Sequence, residues 1–298
     1  MLKGIDVSDV QKTVDWPTAK SAGLDFAILK CGFGEDRNDQ DEDYFARNVS
    51  ECERLGIQWG AYLYSYAMKV SDAPSEVQHI LRVLKGRKPS YPVIIDMEDA
   101  DGYKARNGGI PSTQTITDIL KTELTALESA GYYAGWYANK DWCINHLYPD
   151  QLNHWLFWYA RPGTDSPDRP CGLWQCQIGE TGGKWPGVSG LCDLDVSYND
   201  YASIIKKAHL NGWTAPKPNY TCDTSGTVEI ARGNAYVALI TCKGTPDVVA
   251  GTADRVTVLH RYDDGDKHYY YIVPIGKPGQ DVGIYINGGP RQFVAKIK

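Results

Sequence analysis

Along the first two thirds of the chain, short unbroken apolar runs alternate with stretches in which apolar residues recur every three or four positions. The runs predict strands over 3–7, 25–32, 58–66, 91–97, 132–137, 156–160, 172–177 and 193–197. Near-continuous apolar character is what strands covered on both faces of a parallel sheet require. The periodic stretches predict helices over 43–55, stopped by Gly56, over 72–84, opened by Ser71-Asp72-Ala73-Pro74, over 112–130, and over 201–208. Eight strands alternating with helices predict an α/β fold, a TIM-like β/α barrel. The barrel is expected to be irregular, because the loops after the sixth and seventh strands are rich in Pro and Gly and carry no helical period.

The pattern changes near residue 211. Prolines and polar residues over 211–221 read as a linker. From 222 onward, short β-rich runs separated by Gly, Asp and Pro predict a small all-β, Ig-like sandwich of about seven antiparallel strands. The expected organisation is a barrel over 1–210, a linker over 211–221 and a sandwich over 222–298.

The barrel strands carry acids near the ends where function gathers in such folds. GIDVS places Asp6, VIIDMED places Asp96 and Glu98, and LCDLDVS places Asp193 and Asp195. Side chains alternate faces along a strand, so Asp96 and Glu98 aim at one side. Two neighbouring acids are what glycosidic cleavage needs: one keeps its proton for the leaving oxygen, the other stays ionised against the developing positive charge. The bland reading of such acids is helix capping or ion pairing; the gathering of several strand-end acids favours chemistry. Tyr62, Tyr64 and Trp136 are expected to line a sugar-sized cleft, with barrel packing as the alternative. Asp99 is a further candidate. Asp195 is open between a hydrogen-bonding role and a role in the site.

Composition narrows the picture. The net charge of −6 comes entirely from the first 218 residues, which carry −7, since residues 219–298 hold nine Lys/Arg against eight Asp/Glu. An acidic body argues against nucleic acid, and no basic block or long apolar run points to a membrane. The eight cysteines contain no C-x-x-C, and several lie in apolar runs, so buried free thiols are expected. A Cys222–Cys242 disulfide is the alternative. The six histidines show no metal-site or triad spacing, and neither a metal nor an organic cofactor is implied.

Seven pieces, in order, carry a family resemblance: GIDVSDVQ at 4–11, GAYLYSYA at 60–67, VIIDMED at 93–99, GWYANKDW at 135–142, FWYAR at 157–161, LWQCQ at 173–177 and VSGLCDLDVSY at 188–198. Over about residues 1–208 the chain resembles glycoside hydrolase family 25, the Chalaropsis-type lysozymes (N-acetylmuramidases) of phage endolysins and bacterial autolysins. The resemblance implies hydrolysis of the β-1,4 bond between N-acetylmuramic acid and N-acetylglucosamine, with bacterial peptidoglycan as partner. It implies Glu98 as general acid/base and Asp96 as charge stabiliser, either as nucleophile or by orienting the substrate's acetamido group. Asp6 and Asp193 would position substrate and tune the acid. Where the family has a Val-Asp-Leu-Asn type ending, this chain has Cys192-Asp193-Leu194-Asp195, which leaves the assignment between Asp193 and Asp195 open. Residues 222–298 resemble, loosely, β-sandwich modules of wall-lytic proteins, and wall binding is expected of them.

Met1-Leu2-Lys3 leads straight into the first strand without an apolar leader, which favours a phage endolysin released from the host cytoplasm over a secreted enzyme whose leader has been removed. Two rivals remain. A chitinase-like N-acetylglucosaminidase would favour a longer acidic run before Asp96, where this chain has Tyr91, Pro92, Val93, Ile94 and Ile95. A non-catalytic wall-binding protein would not need the acids.

Overall fold

A computed structural model describes residues 1–214 and 219–298. The chain divides into two compact units, Met1–Ala215 and Pro216–Lys298. Residues 215–218 of the expected linker lie outside the described residues.

The first unit is a closed barrel of eight strands hydrogen-bonded in chain order. They are β1 (Leu2–Val7), β2 (Phe26–Phe33), β3 (Gln58–Tyr64), β4 (Val93–Asp96), β5 (Ala134–Asn139), β6 (Leu156–Ala160), β7 (Leu173–Gln177) and β8 (Asp193–Ser197). From β1 to β7 each strand is parallel to the next. Strand β8 departs from the expected barrel by running antiparallel to both β7 and β1. A parallel return needs a crossover element, and the segment 178–192 provides only the short 3-10 turn Gly179–Thr181. The chain therefore comes back as a hairpin. In consequence Asp193 begins its strand instead of ending it, yet lies at the end of the barrel where β1 to β7 finish.

Alternation divides the barrel into two layers. Ile5, Leu29, Leu63, Ile95, Trp136 and Tyr159 point outward into a core shared with the helices. Phe26, Ile28, Tyr62, Ile94, Tyr137, Trp158 and Leu173 fill the lumen. Each fully buried side chain of this size contributes roughly 1.5–3 kcal/mol relative to exposure.

The helices Phe45–Leu55, Ala73–Val83, Thr113–Ser129 and Tyr201–Lys207 fall within the predicted spans. Gly56 ends the first with φ 68°, the left-handed conformation in which a side chain is costly. Three short helices, Trp16–Ser21, Tyr103–Arg106 and Lys140–Asn145, are too brief to show a period in the sequence. Residue 211 belongs to the first unit and not to a linker: Asn211 is fully buried, donates to the carbonyls of Pro89 (3.0 Å) and Tyr91 (2.9 Å), and accepts from the Tyr133 N–H (2.7 Å).

The second unit contains β9 (Tyr220–Cys222), β10 (Gly226–Ile230), β11 (Tyr236–Cys242), β12 (Val248–Ala250), β13 (Val256–Asp264), β14 (Lys267–Pro274), β15 (Asp281–Ile286) and β16 (Arg291–Ile297). They form two four-stranded sheets, ordered β10-β16-β15-β12 and β13-β14-β11-β9. The β10–β16 pair is parallel, where an all-antiparallel sandwich was expected. A separate apolar cluster that includes Ile240, Ile272, Ile284 and Phe293 is its core. All eight cysteines are free. Cys222 pairs across the ladder with Ile240, and Cys242 with Tyr220, so the two are not opposite one another.

Candidate active site

The acids converge because the barrel parity sends them inward at one end. Asp6 on β1 pairs in register with Asp193 on β8, and Asp195 lies one inward step deeper, opposite Gly4. Strand β4 ends at Asp96, but the Met97 N–H still donates to the Tyr137 carbonyl at 3.1 Å. Alternation therefore continues past the strand. Met97 enters the outer core while Asp96 and Glu98 stay on the inner side. Asp6, Asp96 and Asp195 are buried; Glu98 and Asp193 are half-buried and open toward solvent.

Amides and ring donors hold these carboxyls. Gln175 on β7 donates through Nε2 to Asp6 Oδ2 (2.9 Å) and to Asp193 Oδ2 (3.1 Å), while its Oε1 accepts from the Tyr137 hydroxyl (2.9 Å). The Gly179 N–H donates to Asp193 Oδ1 at 2.6 Å. Trp158 Nε1 donates to Asp195 Oδ1 at 2.8 Å. Asn139 Nδ2 reaches Glu98 Oε2 at 3.4 Å. One oxygen of Asp96 is buried without a partner, which leaves a fixed acceptor in the lumen.

The electrostatics follow from burial. Desolvation is the first cause raising Glu98 to about 7, with the charges of Asp193 and Asp101 adding to it and Asn139 and Lys104 opposing it. Asp96 is raised well above the carboxylate range by burial and by the Glu98 charge, against the pull of Lys30 and Lys104. Asp6 is raised by burial, then by Asp195 and Asp193. Burial raises Asp195 to about 7, offset by the Trp158 bond and a hydrogen bond with Asp6. Like charges in one desolvated space cannot all ionise, so the mouth retains protons near neutral pH.

Around the mouth, the Tyr62 ring meets Trp158 edge-on at 5.8 Å inside the lumen. Tyr64 is half-buried, and its hydroxyl faces Asp101 at 3.4 Å. Tyr66 donates to the same aspartate at 2.6 Å and stacks on Tyr103 at 3.9 Å. Asp99 lies outside the cluster: its carboxylate accepts from the Lys104 and Ala105 N–H groups and caps the helix Tyr103–Arg106. Trp136 does not line the cleft. It stacks on Phe157 at 4.0 Å on the outer layer and faces an outer cavity of about 720 Å³ that contains none of the acids. The reason is parity, since in Trp136-Tyr137 only the second residue turns inward. Cavity size alone would place the site there; the acids place it at the barrel mouth.

Sequence reasoning passed over Gln175, Asn139, Lys30 and Lys104, and preferred Trp136 to its neighbour Tyr137. Counting by twos from the inward Trp158 register would have found Gln175, Asn139 and Tyr137. Among the described residues, one group has ligand atoms spaced for a metal, His260, Asp263 and His268 in the second unit, all within 4.8 Å. A bulge between His260 and Tyr262 brings them together, which residue spacing does not show. Asp263 Oδ1 already faces both imidazoles at 2.7 Å, so the cluster is closed on itself.

Comparison with known proteins identifies the family. Residues 5–178 match the model for "Glycosyl hydrolases family 25", a segment that includes Asp6, Asp96 and Glu98 and stops before Asp193 and Asp195. The chain is 38% identical over 219 residues to Lysozyme M1 of Streptomyces globisporus, covering 70% of this chain and 71% of that protein. The modular autolysin LytC of Streptococcus pneumoniae, solved with a synthetic peptidoglycan ligand, is similar with a TM-score of 0.58 and 26% identity over 66% of this chain and 46% of that one. The spore cortex lytic enzyme SleM of Clostridium perfringens shares the fold with a TM-score of 0.57 and 16% identity, over 96% of this chain and 91% of that one. The chain belongs to glycosyl hydrolase family 25 and is a glycoside hydrolase of the lysozyme class.

Proposed function

We propose that this chain hydrolyses the β-1,4 bond between N-acetylmuramic acid and N-acetylglucosamine in bacterial peptidoglycan, with Glu98 as general acid/base. One observation carries the reading: Glu98 is half-buried beside Asp96, held by Asn139, and pushed to about 7. A carboxyl poised there gives up a proton to a leaving oxygen and takes one back from water at the same pH. Asp96, with its unpartnered oxygen, faces the positive charge that develops at the sugar ring. Asp6 and Asp193, fixed by one Gln175 amide, orient the saccharide across the mouth. Asp195 supports them from below, and Tyr62 and Tyr64 shape the wall.

The test is a Glu98→Gln variant in a turbidity-clearing assay on bacterial cell walls. General acid catalysis is typically worth 10²–10⁴-fold, so clearing is expected to slow by about that factor. Clearing at the parent rate would overturn the assignment. The products separate the bond: a new reducing end on muramic acid is expected, and one on glucosamine only would favour an N-acetylglucosaminidase.

The second unit, with its own apolar core, is read as a wall-binding module. Tethering to an insoluble polymer raises the local substrate concentration without altering the chemistry. Removal of residues 219–298 is expected to lower activity on intact walls while leaving activity on soluble fragments unchanged; equal loss on both would reject this role. Among the described residues no helix is long and apolar enough to cross a membrane. Action at the wall after release from a host cytoplasm, as in an endolysin, fits the reading.

A further inference from the structure

Directly behind the site lies a lysine that the reaction as described does not use. Lys104, on the short helix Tyr103–Arg106, is fully buried. Its ammonium donates to the backbone carbonyl of Glu98 at 2.9 Å and to that of Ser65. The two carbonyls belong to the segments that leave β4 and β3, so one cation ties together the ends of two neighbouring strands. An ammonium has three N–H groups, which leaves one for the acids around it.

Those acids come from two helices as well as from the site. Glu76 on Ala73–Val83 and Glu123 on Thr113–Ser129 are both buried. Glu76 Oε1 accepts from the Tyr66 N–H at 2.7 Å, while its other oxygen and both oxygens of Glu123 have no conventional partner. Glu123 is raised by burial, then by the nearby Glu76 carboxyl, against the pull of Lys104. Lys104 itself is lowered by desolvation, which Glu76, Asp96, Asp99 and Glu123 oppose. The Tyr64 and Trp142 rings lie 5.9 and 5.8 Å from its ammonium. A lone buried cation would be costly; here two backbone carbonyls bind it and the nearby glutamates favour its charged form.

The geometry points to Lys104 as a positioning residue: through the Ser65 and Glu98 carbonyls it fixes the Glu98 main chain, and it places one positive charge behind the Asp96–Glu98 pair. This rests on the proposed role of Glu98. Its consequence is electrostatic. The groups facing Glu98 are Asp96, Asp101, Asp193 and Asn139 besides Lys104, and Lys30 faces Asp96 from β2. Lys104 is common to both carboxyls, and removing it disfavours the ionised form of each.

The experiment compares pH profiles of kcat/KM on peptidoglycan for the parent, Lys104→Met and the double variant Lys104→Met with Glu76→Gln. The double variant removes one nearby carboxylate together with the lysine, so the net charge of the interior is kept if the single variant folds poorly. A nearby opposite charge typically moves a carboxyl by about 1–3 units, so both limbs of the profile are expected to move to higher pH by about one unit in each variant that folds. The rate at the optimum is expected to fall by about tenfold as the Glu98 carbonyl loses its anchor. A merely structural lysine would lower the rate at all pH values without moving either limb. Unmoved limbs in the folded double variant would overturn the inference. Full activity in Glu98→Gln would instead show that the underlying reading has failed, whatever Lys104 does.

Discussion

Two groups of acids meet at one barrel mouth and are held by different means. The β4 pair faces cations: Lys30 and Lys104 act on Asp96, and Lys104 acts on Glu98. The β1–β8 group, Asp6, Asp193 and Asp195, has no ion pair among the described residues; it is held by the Gln175 amide, the Trp158 indole and one backbone N–H. Cations favour ionised carboxylates by charge alone, whereas neutral donors favour them more locally and also fix where each oxygen lies. One side is arranged to change charge during turnover, and the other to keep a fixed hydrogen-bonded shape. Position in the barrel is shared; the counter-groups make the difference.

The largest effect is expected on the cation side. Asp96→Asn, which keeps shape and removes charge, is expected to cut kcat on cell walls by about 10²–10³-fold with KM little changed. A loss confined to KM would move Asp96 to the binding side and blur the contrast.

On the amide side, Gln175→Ala leaves Asp6, Asp193 and the Tyr137 hydroxyl short of a partner. Each orphaned buried group costs roughly 1–3 kcal/mol, so a clear drop in thermal stability is expected, with a fall in activity of about tenfold. Loss of activity without loss of stability would show that Gln175 touches substrate instead of holding the acids.

Asp195→Asn sharpens the same point through pH. The folded-state value of Asp195 is raised from 3.8 to about 7, so its protonated form favours folding, and that stability is lost as pH rises through about 7. The asparagine variant is therefore expected to be more stable than the parent above pH 7, by on the order of 2 kcal/mol, with the gain shrinking toward pH 4. Denaturant melts at several pH values read this directly, and a variant less stable at pH 8 would contradict it.

The smallest effect belongs to the outer layer. Trp136→Phe is expected to lower stability by about 1 kcal/mol and to leave wall clearing within twofold of the parent, since the ring packs on Phe157 away from the acids.

What the sequence revealed, and what it hid, follows the same division of faces. Unbroken apolar runs announce doubly covered strands, and Asp6, Asp96 and Glu98 stand out because charge at the end of such a run has few bland explanations. The runs do not say which of two adjacent residues turns inward. Trp136 and Tyr137 are both aromatic, and only register with Trp158 separates them. The direction of β8 follows from the lack of a crossover helix in 178–192, which the missing helical period there already signals, and the acids it carries reach the same mouth from the opposite strand end. Lys104 gave no signal at all, because a four-residue helix has no period and the nearby Glu76 and Glu123 sit on two helices that look amphipathic by themselves.

The shared claim beneath these contrasts is that the barrel holds a proton on Glu98 at neutral pH. Carbon-13 NMR titration of the glutamate carboxyl, assigned by comparison with Glu98→Gln, tests it without substrate. A midpoint for Glu98 near 7, well above the ordinary 4.5, is the expected result. A midpoint at or below 4.5 would contradict it.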